Sequence, residues 1–225
     1  MLGLPQSTEV NKFVAKQKFF DRADLSPAVR QAFTDDIEKI VWANKIAPKT
    51  MNVSAGGDIE ELEIFHIRLK RRDFNPKILE AIDKTIPYTI VYVMEYGGLR
   101  QVWAAYKEKS ANNKTAVVRY FHGGWTEDPI LPITGGRTDA IYAGILESLS
   151  ATLSKTEETD LKTRVVKSAK IDDLRKQIDV LTKKMAAEKQ FNRQCEIRTQ
   201  IKKIKTQIQS LEKTDNGQNE DGNNK

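Results

Sequence analysis

The chain has 225 residues, of which 39% are hydrophobic and 30% are charged, so we expect one globular domain with an additional segment. Its net charge of +6 is unevenly distributed: residues 1–150 hold 20 Lys/Arg and 19 Asp/Glu, whereas residues 151–225 hold 17 and 12. A single cysteine, Cys195, excludes an intrachain disulfide framework and a multi-cysteine zinc site. Neither a secretory signal nor the roughly 20 apolar residues of a membrane span is evident, so we expect a soluble, cytoplasmic protein.

The first 58 residues predict two helices and one short strand. Ser7 or Thr8 can cap a short helix over residues 10–14. Ser26-Pro27 is a clearer helix start, because serine is a preferred N-cap and proline fits the first helical position. Apolar residues then recur at helical spacing and predict a helix to about Ala43. These residues are Val29, Phe33, Ile37, Ile40 and Val41. Residues 50–53 fit a short strand.

Residues 59–106 carry the densest strand signal. Apolar side chains occupy both alternating faces between Ile64 and Ile67, which predicts a central strand covered on both sides. Asn75-Pro76 opens a helix, and residues 88–95 and 99–106 are two strands joined by a turn at Tyr96-Gly97-Gly98. A polar loop over residues 107–114 leads to a strand at residues 115–121. An irregular connection then leads to a helix over residues 137–153.

Two segments with heptad-like spacing follow a polar connector at residues 154–167. Their apolar positions alternate in steps of three and four residues: Ile171, Leu174, Ile178, Leu181 and Met185, then Ile197, Ile201, Ile204, Ile208 and Leu211. An interruption at residues 189–192 allows either an antiparallel hairpin within the chain or pairing between chains. Residues 214–225 have the composition of a disordered tail.

These elements predict an α+β fold with a mixed, mainly antiparallel sheet of about four or five strands and flanking helices. A coiled-coil-like helical hairpin follows it. The predicted boundaries are a globular domain at residues 1–153, the connector at 154–167, the hairpin at 168–213 and the polar tail.

Several motifs point to a known family. They are Thr8-Glu-Val-Asn-Lys12, Ile37-Glu-Lys-Ile-Val-Trp42-Ala-Asn-Lys45, Lys49-Thr50-Met-Asn52-Val53, Glu63-Ile-Phe-His-Ile-Arg-Leu69 and Asp83-Lys84-Thr-Ile-Pro87, and the match continues through Trp125 to the helix at residues 137–153. With these motifs the chain resembles the bacterial domain of unknown function 4391 family. The similarity covers roughly residues 5 to 213. It implies an α+β domain with a helical C-terminus, and a gene setting beside helicases and DNA methyltransferases in mobile-element or phage-defence loci.

A second resemblance concerns residues 171–211, which are similar to the UVR-type helical hairpin of excision-repair proteins. The residues that carry it are Leu174, Gln177-Ile178, Met185-Ala186-Ala187, Phe191, Ile197-Arg198 and Ile201. In those proteins the hairpin mediates protein contacts. Most pairs of amphipathic helices can produce this pattern, so the resemblance supports a hairpin and no repair role.

Catalytic patterns are scarce. A nuclease core of the PD-(D/E)xK type needs an acidic residue, any residue and a lysine on a strand, to hold Mg²⁺ near the scissile phosphate. The single such triplet, Asp160-Leu-Lys162, lies in the connector. His66 on a central strand fits a hydrogen-bonded core residue, and neither histidine has metal-ligand spacing. We therefore predict no catalytic residue, no metal site and no cofactor.

The candidate interaction surfaces are basic or aromatic. They are Arg68, Lys70, Arg71 and Arg72 after the central strand, His122 and Trp125 in a glycine-containing loop, and the hairpin residues Lys183, Lys184, Lys189, Arg193, Arg198 and Lys202. We expect a non-catalytic accessory protein that binds protein partners, and the family resemblance implies a helicase or DNA methyltransferase as such a partner. Self-association through the heptads is a further alternative. The alternative is a nucleic-acid-binding or degenerate nuclease-like protein, with DNA bound through the basic hairpin.

Overall fold

The computed structural model describes residues 2–109, 115–150, 153 and 161–213. The chain divides into two compact units, Met1–Ser150 and Ala151–Lys225, and each is described by itself. Asp160 of the Asp160-Leu-Lys162 triplet lies outside the described residues, and so does the predicted polar tail at residues 214–225. None of the helices in the described ranges has both the length and the apolar composition needed to cross a membrane.

The first unit is built on a six-stranded sheet with the order β1-β2-β3-β4-β5-β6. The strands are β1 Glu9–Phe13, β2 Ile37–Ile46, β3 Leu62–Leu69, β4 Thr89–Tyr96, β5 Leu99–Lys109 and β6 Thr115–His122. All neighbours are antiparallel except β3 and β4, which run parallel. The predicted α+β class and mainly antiparallel sheet are confirmed, with one or two strands more than expected.

Four helices accompany the sheet: α1 Gln17–Arg22, α2 Pro27–Asp36, α3 Lys77–Thr85 and α4 Thr138–Leu149. Helix α3 forms the crossover that a parallel pair such as β3–β4 requires. Residues of α1, α2 and α3 join Ile37 and Ile40 of β2 and alternate residues of β3 and β4 in one hydrophobic core. Helix α4 packs against β5 and β6, and its Ile141 and Ile145 are fully buried.

The prediction of one helix from Pro27 to about Ala43 is wrong, because α2 ends at Asp36 and β2 starts at the next residue. The register between β2 and β3 shifts between Ile37 and Lys39, as in a β-bulge. Ile37 and Ile40 are therefore both buried although they are three residues apart. Apolar residues three positions apart are also typical of one face of an α-helix. The bulge, which sequence periodicity does not reveal, explains the error.

Two short predicted elements are also wrong. Residues 10–14, expected as a helix, belong largely to strand β1 at the edge of the sheet. Residues 50–53, expected as a strand, form turns and bends instead. There the Thr50 hydroxyl donates to the carbonyl of Lys45 at 2.7 Å and accepts from the backbone N–H of Ala47 at 3.0 Å. Side-chain hydrogen bonds of this kind stabilise turns in place of a strand ladder.

The hairpin between β4 and β5 is confirmed at the predicted turn. Tyr96 pairs with Leu99, so the loop consists of Gly97 and Gly98, with φ angles of +57° and +80°. Two positive φ angles are typical of the type I′ turn, which glycine adopts without steric cost. Strand β5 continues to Lys109, three residues into the polar segment that the sequence assigned to a loop.

The second unit is a helical hairpin of α5 Leu161–Ala187 and α6 Phe191–Lys213. Pairing within one chain is thus the alternative that the structure adopts, and the turn lies close to the predicted interruption. Arg175 of α5 and Glu212 of α6 approach to 3.2 Å, as expected for antiparallel helices. Helix α5 begins at Leu161, so residues 161–167 of the expected connector are helical.

Candidate functional site

Lys70 and Arg71, two cations of the predicted basic surface, have structural partners. The ammonium of Lys70 donates to the carbonyl of Thr34 at 2.8 Å. Nε of Arg71 donates to Oδ1 of Asp36 at 2.6 Å, and the other oxygen of Asp36 accepts from the backbone N–H of Asn75 at 2.8 Å. Asp36 is fully buried, so this network fixes the loop after β3 to the end of α2.

Arg68 belongs to a charged cluster on the other face of the sheet. Its Nε donates to Glu95 at 3.1 Å, Nε of Arg100 donates to the second oxygen of Glu95 at 3.2 Å, and Nε2 of His66 lies 2.9 Å from that oxygen. Burial acts to raise the pKa of Glu95, but His66, Arg68 and Arg100 hold it below its usual value. Burial lowers the pKa of His66, with Arg100 and Arg68 acting in the same direction and Glu95 opposing them.

This cluster borders a cleft of about 250 Å³, which no pattern in the sequence predicted. Its lining comprises Leu2, Leu4, Glu9, Ala43, Asn44, His66, Val93, Arg100 and Asp128. His66 is one-third exposed, so it is not the core residue predicted. Strand alternation places His66 and Arg68 on one face, but the approach of Glu95 and Arg100 depends on the pairing of β3 with β4 and of β4 with β5.

Arg72 and the predicted aromatic loop come together. The guanidinium of Arg72 lies over the ring of Trp125, 5.5 Å from its centroid. The imidazole of His122 stacks on Trp103 with a centroid distance of 4.2 Å and an interplanar angle of 28°, and Phe74 meets Trp103 edge-on at 5.4 Å. Two of the surfaces predicted separately are therefore one. Trp103, which the sequence did not single out, contacts both His122 and Phe74.

Gln101 fixes this aromatic arrangement. Its amide oxygen accepts from Nε1 of Trp103 at 2.8 Å, and its amide nitrogen donates to the carbonyl of Gly123 at 2.8 Å and lies 3.2 Å from Nδ1 of His122. Gln101 is itself only 7% exposed. A buried amide bonded on both ends holds the indole and the imidazole in one orientation.

The hairpin carries the remaining predicted basic residues. Its positions Lys183, Lys184, Lys189, Arg193, Arg198 and Lys202 are all exposed. Between the two helices lies an apolar groove of about 590 Å³, lined by Lys176, Gln177, Val180 and Leu181 of α5 and by Gln200, Lys203 and Ile204 of α6. Val180 is 65% exposed, an unusually open position for valine on a helix.

Lys45, Glu61 and Glu63 form a further charged cluster where β2 ends and β3 begins. The ammonium of Lys45 contacts Glu61 and lies 4.0 Å from Glu63, whose side chain is 3% exposed. Burial and the neighbouring Glu61 raise the pKa of Glu63 to about 7, and Lys45 opposes this shift. Sequence reasoning missed the role of Lys45, because its pairing with Glu63 depends on the register between β2 and β3, which neither segment encodes alone.

No catalytic constellation is evident in the described ranges. Among these residues no three His, Cys, Asp or Glu side chains converge as a metal site would require. Cys195 is a half-buried free thiol on α6. The described residues instead form an aromatic and cationic surface on the first unit and an apolar, lysine-flanked groove on the second.

Comparison with known proteins identifies the family. No curated protein and no solved structure matches the chain. One family model, described as domain of unknown function (DUF4391), matches residues 2–208, nearly the whole chain. The chain therefore belongs to the DUF4391 family, as the sequence motifs indicated.

Proposed function

We propose that this protein is a non-catalytic accessory protein that binds a protein partner through the α5–α6 groove. The observation that carries the proposal is the groove itself, where Val180, Leu181 and Ile204 present apolar surface to solvent between two paired helices. Exposed apolar surface rimmed by polar residues is characteristic of protein interaction sites.

Two helices alone do not bury the apolar seam of the hairpin. Ile171, Ile197 and Ile201 are buried, but Ile178 and Leu181 of α5 and Ile204 of α6 remain partly exposed. An amphipathic helix laid along the groove would cover these side chains, as helices do in other grooves of this kind. At roughly 25 cal/mol per Å² of apolar surface removed from water, such burial favours binding.

The charge of the hairpin indicates the chemistry of the partner. Residues 161–213 contain 15 Lys/Arg and 6 Asp/Glu, a net charge of +9. Lys176 and Lys203 line the groove, and none of the acidic side chains in the described part of the chain does. A second copy of the hairpin would bring like charges together, whereas an acidic amphipathic helix complements them. We therefore propose an acidic helix of another protein as the occupant.

Membership in the family adds one suggestion about that partner. The family resemblance implies a gene setting beside helicases and DNA methyltransferases. We propose enzymes of this kind as partners, with the present protein as an accessory subunit of DNA-processing machinery.

The test is an affinity purification of the full-length tagged protein from its native host, with nuclease treatment to remove bridging nucleic acid. We expect Val180→Glu to reduce recovery of the partner about tenfold, because it places a carboxylate in an apolar groove whose charged lining residues are lysines. Val166→Glu is the matched control, since Val166 lies on the same helix, is 57% exposed and does not line the groove. Equal recovery with both variants would contradict the proposal.

A further inference from the structure

The surface formed by Arg72, Phe74, Trp103, His122 and Trp125, here called the stacking patch, has no evident role in the proposed protein contact. It lies on the first unit, whereas the groove belongs to the second. Its parts come from the loop after β3, from β5, from the end of β6 and from the loop that follows. Phe74 and His122 both contact the ring of Trp103. Arg72, two residues before Phe74, lies over Trp125, three residues after His122.

His122 is an exposed residue, although Trp103 covers one face of its imidazole at a centroid distance of 4.2 Å. Its Nδ1 edge meets Gln101 and the carbonyl of Gly123, which leaves the opposite face and the Nε2 edge to account for the exposure of the ring. The bonds of Gln101 to Trp103 and Gly123 keep this platform in place. A flat ring of a ligand can therefore continue the stack of Trp103 and His122 without rearrangement of the protein.

Arg72 supplies a cation beside this platform. The other three basic residues of its run are engaged with Glu95, Thr34 and Asp36. Among the described residues, Arg72 has no ion pair or hydrogen bond, and it touches only the face of Trp125. Its guanidinium donors are thus available to an anion, and guanidinium geometry suits phosphate.

We infer that the stacking patch binds single-stranded nucleic acid, with a base on the open face of His122 and a backbone phosphate on Arg72. Aromatic and imidazole rings are common platforms for unpaired bases, and such stacking depends little on base identity. A duplex keeps its bases inside the helix, so it cannot use the platform. The ligand class is therefore a single strand with little sequence preference.

The experiment measures the binding of a fluorescein-labelled 12-nucleotide oligothymidylate to the full-length protein by fluorescence anisotropy at two salt concentrations. Wild-type protein should bind the single strand more tightly than a duplex of the same length, with quenching of tryptophan fluorescence. His122→Ala should weaken binding about tenfold, the typical loss for one stacked base. His122→Phe should retain binding, because it restores a flat ring. Arg72→Gln should weaken binding and reduce the salt dependence by about one phosphate contact.

Arg30→Gln is the matched control, since Arg30 also lies over an aromatic ring, Phe20 at 5.5 Å, but outside the patch. It should bind as wild type does. The inference would be overturned if Arg30→Gln and Arg72→Gln weakened binding equally, or if His122→Ala left binding unchanged. Either result would mean that any binding comes from the general positive charge of the protein, including that of the hairpin. Equal affinity for duplex and single strand, or no binding at low salt, would also overturn the inference. None of these results bears on the groove, whose test uses other residues.

Discussion

Glu63 provides a quantitative test of the electrostatics at the β2–β3 junction. Its side chain is 3% exposed, and its pKa is raised from 4.5 to about 7. Between these values the folded protein holds a proton that the unfolded chain releases. Stability therefore falls as pH rises through this interval and stays lower above about pH 7. A shift of this size corresponds to about 3 kcal/mol in the free energy of unfolding.

Glu63→Gln should remove this dependence, because glutamine stays neutral in the same position. The free energy of unfolding of the variant, relative to wild type, should rise by about 3 kcal/mol between pH 4.5 and pH 8. Urea titrations followed by tryptophan fluorescence suit the measurement, since Trp42, Trp103 and Trp125 all belong to the first unit. Glu60→Gln removes a charge from an exposed neighbour and is the control. The reasoning is refuted if Glu63→Gln and wild type show the same pH dependence.

Three further predictions concern the network, the turn and the histidine of the first unit. Asp36→Ala should lower the free energy of unfolding, measured with urea, by about 3 kcal/mol, because the N–H of Asn75 and the guanidinium of Arg71 lose a buried acceptor. Asp35 is exposed, so Asp35→Ala should lower it far less. Gly98→Ala should lower the free energy of unfolding by about 1 kcal/mol, because φ at this position is +80°. Gly124 has open space around it and no positive φ, so Gly124→Ala should lower the free energy of unfolding by less. Equal losses would show that the turn does not require glycine at position 98. In NMR titrations His66 should have a pKa below 6.5, and Glu95→Gln should lower it further; an unchanged or higher value would show that the carboxylate does not act on the imidazole.

Local sequence patterns predicted the strands that carry continuous apolar, β-branched and aromatic residues. Strands β3 and β4 are of this kind and are buried along most of their length, and the Gly97-Gly98 turn carries its own conformational signal. Strand β2 differs, because its bulge separates buried residues by three positions and so resembles a helix. The error arose from the pairing geometry of two strands, which no single segment encodes.

The candidate sites were predictable only in part, because they form across long sequence distances. Arg72 and Trp125 were each suspected, but their contact joins segments far apart in the chain. The approach of Glu95 to His66 depends on the parallel register of β3 and β4. The hairpin differs in this respect, since its seam is local and repeated, and the heptad spacing therefore indicated both helices and their interruption.

The central claim is that the α5–α6 groove binds an acidic helix of another protein. The most direct test places a photo-crosslinking amino acid at position 180 of the full-length protein in its native host and maps the crosslinked peptide by mass spectrometry. We predict a crosslink to an acidic, amphipathic helical segment of a different protein, absent when the same probe stands at position 166. Crosslinks only to a second copy of this chain or to nucleic acid, or equal crosslinking from both positions, would contradict the account.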